Sequence, residues 1–362
     1  MASNYFNVKN GIYSPVFSGE TLIVDTLTAS TIYGVSAEHQ ITKDFSGFVG
    51  QNDGNDDIDV SYDSTERTIT LTGTFKLYYQ GSLILDVVAS SWTSDPHPSG
   101  VTTTQFLKFN GGGFQWQETP WNFHEAQIAY VCIKSTGEYC FSQREPHGLG
   151  DWETHEQLHF TIGSVLRSGG DLSDYTLNST TAANRRPLIN ATTVVDEDLH
   201  TIIPALTAET YTRFSLSSTT TVNFTTASND IVNLSTNQPY YNQWNGSAWV
   251  QTLMSNNNYQ AIFVIAIPTT SDSTAQAHRY LFVQGQTQNS SLTTIQAITT
   301  NNLTLGDFTN ISPEFTFIAK IIIRYTGGNW QLIQVDKLTG NKVSQLSTPS
   351  GSYLSSVASK KI

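Results

Sequence analysis

Charged side chains are scarce in this chain of 362 residues. They make up 13% of it, and the 30 acids exceed the 18 bases, which leaves a net charge of −12. Duplex nucleic acid is bound through stripes of Lys and Arg that release phosphate counterions, and an acidic chain repels anionic lipid. The longest apolar run, residues 261–268, is too short to span a bilayer. We therefore expect no nucleic-acid partner and no membrane insertion.

Cysteine is equally rare. Cys132 and Cys140 are the only two, which excludes a disulfide scaffold. They flank a hairpin-like segment whose turn is expected near residues 136 and 137. Two buried thiols are the expected arrangement, and a cross-strand disulfide is the alternative. The first residues lack a basic end followed by an apolar run, so no secretion signal is expected.

Long runs of Ala, Glu, Lys and Leu are absent, which argues against long helices and coiled coils. The chain is instead rich in Thr, aromatic residues, Val and Ile, which suit pleated strands, with Gly, Asn, Asp and Ser between them. Residues 67–79 alternate with period two, as a half-buried strand does. Many short strands at this spacing predict an all-β fold with two β-sandwich or jelly-roll-like regions.

The distribution of turn-rich and strand-rich segments predicts five parts. The start cannot bury a core of its own, so we interpret it as an extended anchoring arm, with two ordinary edge strands as the alternative. The segment after the first β region is rich in Ser, Thr, Asn and Gly without periodicity, as linkers are. The predicted parts are the arm (1–36), the first β domain (37–165), the linker (166–200), the second β domain (201–340) and a polar tail (341–362).

One segment, residues 145–163, concentrates histidine. It contains His147, His155 and His159, and the stretch from His155 through Glu156 to His159 fits the H-E-x-x-H pattern of zinc hydrolases. In such enzymes both histidines share one helical face and the glutamate lies beside the bound water. A helix of about two turns, between residues 148–150 and a strand-like 160–163, would satisfy the first condition. This loop and helix form the predicted junction between the β regions.

The surroundings of the motif argue against a hydrolase. No further histidine follows at the metzincin spacing, and Glu197 and His200, the available third ligands, lie in no recognisable motif. We therefore predict hydrogen-bonded structural histidines, no catalytic residue, no cofactor and no bound metal, with His155 and His159 as the candidates should a metal bind. A structural metal at a symmetry axis or at the junction stays open, as does a zinc hydrolase.

Tryptophans offer a second kind of candidate site. Trp92, Trp116, Trp121, Trp244 and Trp249 could stack on sugar rings, and Trp244 and Trp249 are the candidates for a glycan site. Packing in a core or an interface is the simpler interpretation of such residues. Glycan binding by these two tryptophans is thus an alternative function.

One stretch combines His147-Gly, Asp151-Trp, Thr154-His155, Leu158-His159, Thr161 and Gly163. With several shorter stretches, it resembles virion appendage proteins of tailed bacteriophages, such as tail fibres and head fibres. Shorter similar stretches are residues 62–73, 78–81, 210–213, 313–315, 321–324 and 328–330.

This resemblance implies a non-enzymatic, β-rich homotrimer in the virion, assembled in the host cytoplasm. Its expected partners are copies of itself, other virion proteins through the amino-terminal arm, and in one version a host-surface glycan. In proteins of this kind the histidines and glycines of the segment are expected to matter and Glu156 to be incidental. Trimerisation would also cover an arm and a linker that cannot bury themselves alone.

Overall fold

The computed structural model describes residues 45–50, 58–120, 122–148, 152–173, 185–207, 209–270, 275–308 and 314–339. The predicted arm (1–36) and tail (341–362) lie outside these residues. The described part of the chain consists mainly of β-strands, which confirms the predicted all-β class. No helix within these ranges has the length and apolar character needed to cross a membrane.

Two four-stranded sheets form the first part of the structure. In the strand Thr68–Tyr79, the buried side chains of Ile69, Leu71, Phe75 and Leu77 are two or four residues apart, as the period-two pattern predicts. The first sheet contains β1 (Gly47–Gly50), β2 (Asp59–Asp63), β3 (Thr68–Tyr79) and β4 (Ser82–Thr93), and β1, β2 and β4 each pair with β3. The second, in the order β6-β5-β7-β8, contains β5 (Gln105–Phe109), β6 (Phe114–Gln117), β7 (Ala126–Ile133) and β8 (Tyr139–Arg144).

A single helix, α1 (Trp152–Thr161), follows the second sheet. It is longer than expected: the prediction of a strand-like segment at 160–163 is wrong, because the helix runs through Thr161. The end is set by Gly163, whose φ of +53° lies in the left-handed region that favours glycine. The amide of Gly163 donates to the carbonyl of Leu158 at 3.0 Å, which closes the last turn.

The remaining strands form a six-stranded sheet and three smaller ones. The large sheet has the order β15-β14-β20-β19-β21-β22, in which β14 and β20 are parallel. The smaller sheets are β13-β12-β9, β16-β17-β18 and β10-β11. The strands are β9 (Val165–Gly169), β10 (Leu172–Ser173), β11 (Leu188–Ile189), β12 (Thr192–Asp196), β13 (Leu199–Ile203), β14 (Tyr211–Ser217), β15 (Thr221–Ala227), β16 (Leu234–Ser235), β17 (Gln238–Trp244), β18 (Trp249–Leu253), β19 (Asn258–Ala266), β20 (Tyr280–Val283), β21 (Thr316–Thr326) and β22 (Asn329–Lys337), with a short helix α2 (Leu292–Gln296) and two 3-10 turns (Ala275–His278 and Thr300–Asn302).

The predicted linker (166–200) contains paired strands. Most of β9 and all of β10, β11 and β12 fall within it, and β12 pairs with both β9 and β13. Many described residues of this segment therefore belong to sheets, whereas the division of the chain into domains stays a prediction.

Two of the three hydrophobic clusters belong to one part of the structure each, and the third joins both parts. Phe106, Tyr130 and Phe141 of the first part pack in it with residues such as Phe214 and Phe263 of the second. Backbone pairing between β8 and residue 269 adds to this contact. The two β parts thus share a buried apolar core.

Both cysteines lie in this shared core. Cys132 and Cys140 are fully buried and free, which confirms the expected thiols over the disulfide alternative. The register explains the arrangement, because Cys132 on β7 lies opposite Phe141 rather than opposite Cys140.

Candidate metal centre

Helix α1 directs both of its histidines into the protein. His155 and His159 are one turn apart and therefore lie on the same helical face. The edge of Phe123 packs against both rings, with centroid distances of 4.9 and 5.3 Å. Glu156, between them in sequence, is exposed on another face of the helix. The H-E-x-x-H motif is thus split, with its histidines inside and its glutamate in solvent.

The carboxylate opposite these histidines belongs to Glu197, in the tight turn between β12 and β13. Its side chain is fully buried, and its Oε2 lies 3.4 Å from Nε2 of His155. Its other oxygen, Oε1, lies 3.6 Å from Nδ1 of His159. The backbone of Glu197 has φ of +54°, a left-handed conformation that is uncommon for a side chain of this kind.

His147, in the loop after β8, completes the inner part of the cluster. Its Nδ1 donates a hydrogen bond of 2.7 Å to Asp198, whose other oxygen accepts from the amide of Gly148 at 2.7 Å. Its ring centroid is 4.7 Å from that of His155. The loop is held by the amide of Phe48, which donates to the carbonyl of His147 at 2.8 Å. Close approach here requires Gly47, since a Cβ at that position would lie 2.5 Å from the same carbonyl oxygen.

Three further carboxylates surround these groups. Glu145 lies 3.3 Å from Nε2 of His147, and Asp196 lies 3.8 Å from the same nitrogen. Glu314 is 3.3 Å from Nδ1 of His159 and accepts a 2.6 Å hydrogen bond from Ser164. We call the complete set the histidine–carboxylate cluster: His147, His155, His159, Glu145, Asp196, Glu197, Asp198 and Glu314.

Several buried polar atoms of the cluster make no hydrogen bond to the described residues. They are both carboxylate oxygens of Glu197, one oxygen each of Glu145 and Asp196, and Nε2 of His155. Buried polar groups are normally paired, and a buried charge without a partner costs several kcal/mol. An arrangement this acidic and this poorly paired needs a compensating positive charge or bound protons.

The electrostatics reflect that need. Burial raises the pKa of Glu145 to about 7 and that of Glu197 to about 8. Burial lowers the pKa of His155 to well below its ordinary value, and the neighbouring His147 and His159 lower it further. Burial also acts against protonated His147, but hydrogen bonds to Asp198 and Glu145 outweigh it, so the pKa of His147 lies well above its usual range. The cluster therefore opposes the accumulation of negative charge.

The structure separates the candidates named from the sequence. His155 and His159 lie beside Glu197, one of the two proposed third ligands. The other, His200, lies on β13 as an exposed residue, with its backbone carbonyl accepting from Arg144 at 2.7 Å. One donor atom each of His147, His155 and Glu197 lie within 4.8 Å of one another. His159 is not in that group of three.

Sequence reasoning missed Glu145, Asp196, Asp198 and Glu314 as neighbours of the histidines. Glu314 lies more than 150 residues from His159, and no local pattern indicates that contact. The acidic run at 196–198 did carry a signal, since three consecutive acids interrupt two β-like segments at a hairpin turn.

The tryptophan candidates lie elsewhere, at the end of the β17–β18 hairpin. Trp244 and Trp249 are cross-strand partners with ring centroids 5.6 Å apart, and Trp244 is 43% exposed. At the base of the same hairpin an open recess of about 600 Å³ is lined by Arg213, Asp230, Asn233, Leu234, Tyr240 and Gln251. Both features are polar or aromatic surfaces that a carbohydrate could contact.

Comparison with protein-family models, with curated proteins and with solved structures finds no match to this chain.

Proposed function

We propose that the protein is a non-enzymatic structural subunit of a bacteriophage virion appendage, a fibre, spike or decoration protein that acts as a homotrimer. The observation that carries the non-enzymatic part is the orientation of α1. Glu156 is exposed, whereas the two motif histidines face the interior beside Glu197. A zinc hydrolase of this motif needs that glutamate next to the metal-bound water, and here it is on the wrong side of the helix.

The virion role is supported by the sequence resemblance together with the β-rich architecture. The most specific stretch of the resemblance, which includes His147, His155 and His159, coincides with the junction where the first β part meets α1 and the β12–β13 turn. A junction with a fixed geometry suits a structural protein that displays β domains on a particle. In this proposal the amino-terminal arm attaches to other virion proteins, and the assembled particle forms in the host cytoplasm.

Oligomeric state provides the direct test. The chain has a mass of 39.9 kDa, so a trimer has about three times that mass. We expect native mass spectrometry and sedimentation velocity of the full chain to give the trimer at micromolar concentration. A monomer at every concentration would contradict the proposal, since a virion fibre of this kind is built from symmetric copies. Peptide hydrolysis that is lost in Glu156→Gln would contradict the non-enzymatic part.

Glycan binding is the second candidate, favoured by the exposed Trp244–Trp249 pair and the polar recess on the same hairpin. Aromatic faces and hydrogen-bonding side chains are the groups that recognise sugars. A screen of bacterial surface glycans should then give hits that weaken in Trp244→Ala and Trp249→Ala. Leu253→Ala is the matched control, because Leu253 is 37% exposed on the same strand as Trp249. Equal binding by all three variants would exclude the tryptophans as the sugar site.

A further inference from the structure

We propose that the histidine–carboxylate cluster binds one divalent first-row transition-metal ion through His147, His155 and Glu197, and that this ion fastens the first β part and helix α1 to the β12–β13 turn. His159 is a positioning residue in this proposal: its Nδ1 lies 3.6 Å from Oε1 of Glu197, beside the carboxylate that would bind the ion, and it is not itself a ligand. The proposal does not depend on the virion role, since a metal joint of this kind can exist in any protein with this fold.

The spacing between Glu197 and His155 fits a metal site better than it fits a hydrogen bond. Oε2 of Glu197 lies 3.4 Å from Nε2 of His155 and 3.9 Å from Nδ1 of His147. Ligands bound at about 2.0–2.1 Å in a tetrahedral zinc site are separated by about 3.3 Å from each other. One donor atom of each of the three residues lies within 4.8 Å of the others, so side-chain adjustment can place them around one ion. Nδ1 of His147 then exchanges its 2.7 Å hydrogen bond to Asp198 for the ion. By contrast, neither oxygen of Glu197 forms a hydrogen bond within the described residues.

A proton on Glu197 would pair only some of these atoms. The O–H group of a neutral Glu197 could donate to Nε2 of His155, 3.4 Å away, but its other oxygen would still accept no hydrogen bond from the described residues. A divalent cation satisfies Glu197 and His155 together and offsets the charge of the surrounding carboxylates. The buried atoms that lack partners thus point to the same place in the cluster.

The backbone at Glu197 provides a third observation. A two-residue hairpin turn with left-handed backbone favours Asn or Gly, yet Glu occupies this position at φ of +54°. Such strain persists where the surrounding structure or a bound group compensates for it. In this turn the strained backbone directs a fully buried carboxylate at two histidines. A turn that supplies a metal ligand needs a buried carboxylate held in this orientation.

The donor set determines the class of ion. Two imidazoles and one carboxylate suit Zn²⁺, Co²⁺, Ni²⁺ or Fe²⁺, whereas Mg²⁺ and Ca²⁺ prefer oxygen ligands throughout. When the ion binds Nδ1 of His147, that nitrogen releases its proton, and Asp198 keeps its hydrogen bond from the amide of Gly148. Nε2 of His147 then donates to Glu145, the carboxylate–histidine–metal arrangement common in such sites.

The experiment measures metal bound by the full chain, purified without a histidine tag. After incubation with Zn²⁺ and dialysis, elemental analysis should give about one ion per chain. His155→Asn and Glu197→Gln should each reduce it to below one fifth of that. Glu156→Gln and His200→Asn are the matched controls, a glutamate of the same motif and a histidine of the neighbouring strand, both exposed, and both should keep the ion.

His159→Gln distinguishes this site from an ordinary H-E-x-x-H site. If His159 only orients Glu197, the variant keeps one ion per chain with an affinity reduced about 10- to 100-fold, the usual effect of losing an outer partner. If His159 is a ligand equal to His155, both variants lose the ion alike, and our ligand assignment is wrong.

Folding controls keep the test decisive. Each variant is compared with the unaltered chain by circular dichroism, and a variant that fails to fold is set aside. The unaltered chain then decides: a chelator should lower its melting temperature by several degrees, added Zn²⁺ should restore it, and Co²⁺ should give the visible absorption of imidazole-ligated cobalt. Less than one fifth of an ion per chain, with no chelator effect on melting, would overturn the proposal and leave a network of protonated acids.

Discussion

Removal of one phenyl ring from the shared core should weaken both β parts together. Phe141 lies on β8, is fully buried, and belongs to the same hydrophobic cluster as residues of the six-stranded sheet. Its ring centroid is 5.8 Å from the ring of His278, in a 3-10 turn of the second part. Replacing a buried Phe with Ala costs about 3–5 kcal/mol through lost transfer energy and the cavity left behind. Since about 1.4 kcal/mol is a factor of ten, Phe141→Ala should raise local opening roughly 100- to 4,000-fold.

Hydrogen exchange with mass spectrometry is the appropriate assay, because it follows peptides of both parts separately. In Phe141→Ala we expect faster exchange in β7–β8 and also in β14 and β19–β20. The comparison variant is Phe75→Ala: Phe75 is equally buried, but its cluster contains residues of the first part only. That variant should accelerate exchange in the first part and leave the second protected. The reasoning is refuted if Phe141→Ala accelerates exchange in the first part alone.

Two further predictions concern single positions. Gly47→Ala should lower the melting temperature and weaken zinc binding, because the added Cβ would lie 2.5 Å from the carbonyl oxygen of His147. Gly112→Ala is the control for thermal unfolding and metal content, because its Cβ would lie 3.5 Å from its nearest neighbour, the side chain of Asn110. His97 is buried, which lowers its pKa, and its ring bonds to Tyr62 and to a carbonyl in the neutral form. The unfolded chain therefore binds a proton at His97 more tightly than the folded chain does. The contribution of neutral His97 to folding stability is present above pH 6.5 and is lost as the pH falls below it. Between pH 7 and pH 5, the urea midpoint of unfolding should therefore fall less in His97→Gln than in the unaltered chain.

Periodicity was a sufficient guide to the strands but not to the helix boundary. The alternating pattern at residues 67–79 gives β3 almost residue for residue, because burial on one face of a sheet imposes period two. At 160–163 the β-branched Thr161 and Ile162 favour a strand, yet Thr161 is part of the helix. Its hydroxyl donates back to the carbonyl of Gln157, and Gly163 supplies the left-handed residue that ends the helix.

The linker stays a prediction as a domain boundary, but its described residues show what composition leaves out. Composition rich in Ser, Thr, Asn and Gly describes residues 166–200 correctly, but such residues also form short paired strands. Thr192–Asp196 gains its neighbours β9 and β13 from pairing that composition does not report. The hairpin formed with β13 is the element that carries Glu197 into the histidine–carboxylate cluster.

What the sequence determined by itself is local: an all-β chain with few charges, two thiols to be buried, and a short helix that places His155 and His159 on one face. These follow from side-chain preference and periodicity, which act over a few residues. What only the tertiary structure decided is which groups meet those histidines. Glu197 comes from the turn between β12 and β13 and Glu314 from the segment before β21, whereas Glu156, adjacent in sequence, faces away. The physical reason is that contacts between elements depend on sheet pairing and shared burial, which no short pattern encodes.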